Sequence, residues 1–131
     1  MVDVVKVDGW WDAQKLAYGR GPESFNRVVE NVCGVSIATT DEEYDGALVD
    51  AAIAVLSFAM LRGITIFDVH VHEKISCNHG IMGGLVLLSR YMENGGLMLS
   101  GVPGIRMILE GLAFLASRRH KNLLDMLREE L

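Results

Sequence analysis

The sequence predicts an all-α protein: a single domain over residues 1–131, folded as a globular bundle of six or seven helices around a largely buried central helix. Apolar residues recur at three- and four-residue spacing along most of the chain. Capping signals stand before these runs, as at Thr40 with Glu43, and glycines stand behind them, as at Gly34 and Gly63. No repeat, low-complexity tract or Pro/Ser-rich linker divides the chain.

Val2, Val4 and Val7 alternate as in a short strand or an extended arm, and Asp8 and Gly9 then introduce a helix from Trp10 to Tyr18. The loop Gly19-Arg20-Gly21 ends it, and Pro22 stands where a first helical residue should be. Phe25, Val28, Val29, Val32 and Cys33 define the next helix, with Gly34 as its stop. A long helix follows from Asp41 to Arg62, amphipathic early and apolar on nearly every side later, as a deeply packed helix should be. From Ile64 to Ile75 the β-branched residues suit a strand. Against that, Thr65 with Asp68 reads as a capping box, and Phe67, Val71 and Ile75 would share a helical face, so helix is the favoured reading.

Asn78 is a suitable N-cap for a helix from His79 to Glu93, closed by Gly95-Gly96. Ile81, Gly84, Leu85, Leu88, Tyr91 and Met92 fall on one face, with Val86 and Leu87 elsewhere around it, which marks this helix as central. After a loop from Ser100 to Gly104, a further amphipathic helix carries Ile105, Ile108, Leu109, Leu112 and Leu115. Asn122 and Asp125 cap a last short helix that ends at Leu131.

Composition narrows the function. Half the residues are hydrophobic and mean hydropathy is +0.27, so either the interior is dense in apolar side chains or part of the surface is covered by a partner. A homodimer would meet that need, and seven methionines suit adaptable contacts. The net charge of −5 argues against nucleic acid, which calls for a basic stripe or patch. Cys33 and Cys77 form neither a disulfide framework nor a zinc motif and read as buried or half-buried thiols in a reducing compartment. The longest apolar run, Ala51 to Leu61, contains Ser57 and is shorter than the roughly 20 residues of a membrane span. The opening MVDVVKVD lacks the layout of a signal peptide, so the expected location is the cytoplasm.

Few residues suggest chemistry. His70, His72 and His79 cluster with Glu73 and Cys77. In a strand, His70 and His72 would point the same way and could share a metal; in a helix they stand about 200° apart and could not. Boundary histidines near a turn are the expected reading, with no metal and no cofactor. Gly80, Gly83 and Gly84 lack the strand and Lys-Ser/Thr of a phosphate loop and are expected to admit a neighbouring backbone. No nucleophile, base and orienting acid are indicated, so no enzyme is expected. Arg118, Arg119, His120 and Lys121 read as a solvated basic corner.

The segment Cys77-Asn78-His79-Gly80-Ile81-Met82-Gly83-Gly84-Leu85-Val86-Leu87-Leu88 resembles the first homology motif of the B-cell-lymphoma (Bcl) family of apoptosis regulators. In that motif an Asn-Trp-Gly-Arg stretch opens an apolar central helix after a short amphipathic one. Asn78 and Gly80 match, His79 stands for the Trp, and Ile81 stands for the Arg. Identity covers about a dozen residues; helix order and length carry the rest. The second and third motifs of the family are not recognisable, as in its short viral members. The resemblance implies a Bcl-like fold and an inhibitor of apoptosis in the host-cell cytoplasm. It would bind the amphipathic death-ligand helix of a pro-apoptotic protein in a surface groove formed by Phe67, Val71, Asn78, Gly80, Ile81, Gly84 and Leu88. The family's Arg pairs with a ligand Asp, which Ile81 cannot do, so a narrow ligand range is implied. The alternatives are a structural or regulatory helical homo-oligomer without a groove and a small metal enzyme built on His70, His72 and His79.

Overall fold

A computed structural model of the protein describes residues 9–71, 77–96 and 101–131. Among them are six helices and no strand: α1 (Trp10–Gly19), α2 (Phe25–Ile37), α3 (Asp41–Leu61), α4 (Cys77–Glu93), α5 (Gly101–Arg118) and α6 (Leu123–Glu130). The all-α expectation is met.

Local chemistry sets several of the ends. Thr40 accepts a hydrogen bond from the Glu43 amide at 3.1 Å, while the Glu43 carboxylate reaches back to the amide and hydroxyl of Thr39 at 3.0 and 2.9 Å. Those bonds from Thr39 hold the Glu43 carboxyl below its ordinary pKa. At the other end Arg62 closes α3, and Gly63 takes the left-handed conformation with φ of 73°. Asn122 caps α6 by accepting from the Asp125 amide at 3.1 Å.

Several expected boundaries move. Ser24, whose side chain accepts from Arg27, is the cap of α2 instead of Pro22 marking its first residue. Gly34 does not end that helix, which runs on to Ile37 because Val35 is buried and holds the extra turn in place. The expected loop up to Gly104 is already helical from Gly101.

The centre is α3. Leu48, Ala51, Ala52, Val55, Leu56 and Ala59 on it are fully buried, and it touches α1, α2, α5 and α6. Ile105, Ile108, Leu109 and Leu112 of α5 complete the deepest layer. By length and hydropathy α3 is also the one helix among the described residues able to cross a bilayer, yet 56% of that stretch is buried inside the protein. It is built as a core helix. The central role expected for the helix up to Glu93 is overturned, because α4 packs mainly on α5 at the edge of the bundle.

The helix expected over Thr65 to Ile75 is absent as far as residue 71; residues 72–76 lie outside the described part. Gln14, fully buried on α1, explains this. Its Nε2 donates to the carbonyl of Ile64 at 2.7 Å and its Oε1 accepts from the amide of Ile66 at 2.9 Å. One side-chain amide thus supplies the bonds that helix would have supplied, and Ile66 is drawn fully into the core. Asp68, needed for a capping box at Thr65, instead accepts from Arg106 of α5 at 3.1 Å.

Candidate functional site

The residues of the expected groove fall into two places. Phe67 and Val71 lie on the extended segment after α3 and are exposed, at 69% and 46%. Phe67 stands against Trp11 of α1, with ring centroids 5.8 Å apart. Ile81, Gly84 and Leu88 lie on α4 and face inward, with Leu88 fully buried. Asn78 falls inside the first turn of α4, which is helical from Cys77, and its side chain lies outside the described part. Phe67 and Val71 stand on non-helical backbone and so share no helical face, while Ile75 lies outside the described residues.

The inward face of α4 is occupied by α5. A Cβ built on Gly84 would lie 2.6 Å from the carbonyl oxygen of Gly104 and 2.6 Å from Cγ1 of Ile108. A Cβ on Gly104 would meet the Gly84 carbonyl oxygen at 3.0 Å. Two glycines therefore bring the two backbones together at one crossing. Gly80 is looser, with the Met107 carbonyl oxygen 3.6 Å from its notional Cβ. The sequence reading of these glycines as sites of close backbone approach holds for Gly84, with a helix of the same chain as the neighbour. Gly83 instead faces the side chain of Met107, whose Cε would lie 2.8 Å from a notional Cβ.

The outer face of α4 carries Met82 and Val86, exposed at 67% and 50% and one helical turn apart. Sequence reasoning gave neither a role, although Val86 stands off the main apolar face of α4.

Of the expected histidine cluster, the described side chains include His70 alone. His70 Nε2 lies 2.9 Å from Asp68 on the exposed segment, while His72 and the side chain of His79 fall outside the described part. Among the described residues no three His, Cys, Asp or Glu side chains converge as metal ligands. Cys33 is exposed on α2, against the expectation of a covered thiol.

The basic corner after α5 is engaged. Arg119 donates to Asp45 at 2.7 Å and to Asp41 at 3.1 Å, and Lys121 also bonds Asp45. Arg119, then Lys121, hold the Asp45 carboxyl below its ordinary pKa. These contacts fasten the α5–α6 turn to the start of α3.

No family model, no curated protein sequence and no solved structure matches this chain.

Proposed function

We propose that this protein acts by binding a partner helix, as an inhibitor of apoptosis that takes the amphipathic death-ligand helix of a pro-apoptotic protein. What carries the reading is the resemblance of Asn78 to Leu88 to the first Bcl homology motif, on a helix of an all-α protein. The buried crossing of Gly84 with Gly104 changes where the ligand would lie. With α5 already against Gly84 and Leu88, and Ile81 buried, the side of α4 open to a ligand is the one bearing Met82 and Val86. Helix-on-helix recognition needs apolar anchors at this turn-by-turn spacing.

Titration of the purified protein with a panel of death-ligand peptides tests the reading. Saturable binding to a few of them is expected, abolished by Val86→Asp with the helical circular-dichroism spectrum unchanged. A panel in which no peptide binds would sink the reading. The second reading is a non-enzymatic helical homo-oligomer, favoured by the same exposed Met82 and Val86; there Val86→Asp would shift the mass in light scattering and leave peptides without effect.

A further inference from the structure

A cleft of about 760 Å3 runs between α3 and α6, away from α4. Its base is apolar: Val49 is buried and Met126 half-buried. Gly46 leaves the space above it open, with nothing within 4 Å of a notional Cβ. Acids dominate both rims, Asp45 and Asp50 on α3 and Asp125, Glu129 and Glu130 on α6, against one lysine, Lys121, which lines the cleft with His120 in the α5–α6 turn. Three of these acids have internal cations: Arg119 and Lys121 on Asp45, Arg128 on Asp125, and Arg20 on Glu130. Asp50 and Glu129, one on each rim, have no ion-pair or hydrogen-bond partner among the described residues.

We infer that this cleft docks a basic amphipathic segment of a partner protein, its apolar side chains on Val49 and Met126 and its Lys or Arg side chains on Asp50 and Glu129. Charge complementarity selects the occupant. Acidic rims repel nucleic acid and anionic lipid, and an apolar base gives nothing to a bare cation. A volume of this size holds a few side chains, the scale of a short peptide. Exposed rim charges act mainly on the rate of encounter and are screened by salt. The surface uses no residue of α4 and stands whether or not α4 binds a death ligand.

The test is fluorescence anisotropy with a short labelled leucine–lysine amphipathic peptide at low and high salt. Asp50→Lys and Glu129→Lys replace exposed side chains, and their helical content is checked by circular dichroism. Glu93→Lys on α4 makes the same change in net charge away from the cleft. Salt-sensitive binding is expected, weakened about tenfold or more by each cleft variant and unchanged by Glu93→Lys. Absence of binding to the unaltered protein, or an equal loss in all three variants, would overturn the proposal.

Discussion

An added methyl at Gly84 has nowhere to go, because the atoms it would strike at 2.6 Å include the Gly104 carbonyl, which is backbone and cannot rotate aside. Gly84→Ala should therefore force α4 off α5 and cost about 1–3 kcal/mol in urea unfolding. Gly84→Glu would bury an unpaired carboxylate at the same crossing and should leave the protein unfolded or aggregated. Stability of Gly84→Ala equal to that of the unaltered protein would mean that the two helices do not cross there. Gln14 is the matching case among polar residues. Its amide satisfies the Ile64 carbonyl and the Ile66 amide, so Gln14→Leu should strand both groups and cost about 1–3 kcal/mol. Hydrogen exchange at the Ile66 amide is the direct readout, and protection as strong in the variant would show that the bond is dispensable.

At the scale of elements, two helix starts were legible because the cap is a short-range bond, although the equally local cap of α2 by Ser24 was not read. Thr40 with Glu43, and Asn122 with Asp125, sit three residues from their partners and read directly from the sequence. The segment after Gly63 was misread because its deciding partner is Gln14, 52 residues from Ile66. The start of α3 also depends on a distant element, through Asp45 and the cations after α5. Since Arg119 and Lys121 hold the folded pKa of Asp45 below its unfolded value, the native state takes up a proton there at lower pH than the unfolded state does. The stability from this network is complete above the unfolded value of about 3.9 and is lost as pH drops through the lower, folded value. Asp45→Asn should lower the melting temperature at neutral pH and flatten the acid limb of the stability curve. Parallel acid limbs for the variant and the unaltered protein would remove the network from the account.

For the whole molecule, the expected dense apolar interior is present: α3 is enclosed by four helices, and the inner face of α5 is fully buried. Apolar side chains are nevertheless left outside, with Ile37 at 75% exposure and Met82 and Phe67 close behind. We expect a homodimer in solution, read by light scattering as twice the 14.4 kDa chain mass; a 14.4 kDa particle at micromolar concentration would count against it. The sequence by itself determined the helical class, the caps of α3 and α6, and the apolar face of α5, because these rest on bonds and periodicity within a few residues. It also marked Gly84 as a place of close approach. Only the tertiary structure decided what approaches it, which helix lies at the centre, and how residues 64–71 run. Two apolar helices look alike in sequence, and the one that becomes central is the one whose neighbours, from distant parts of the chain, cover all its sides.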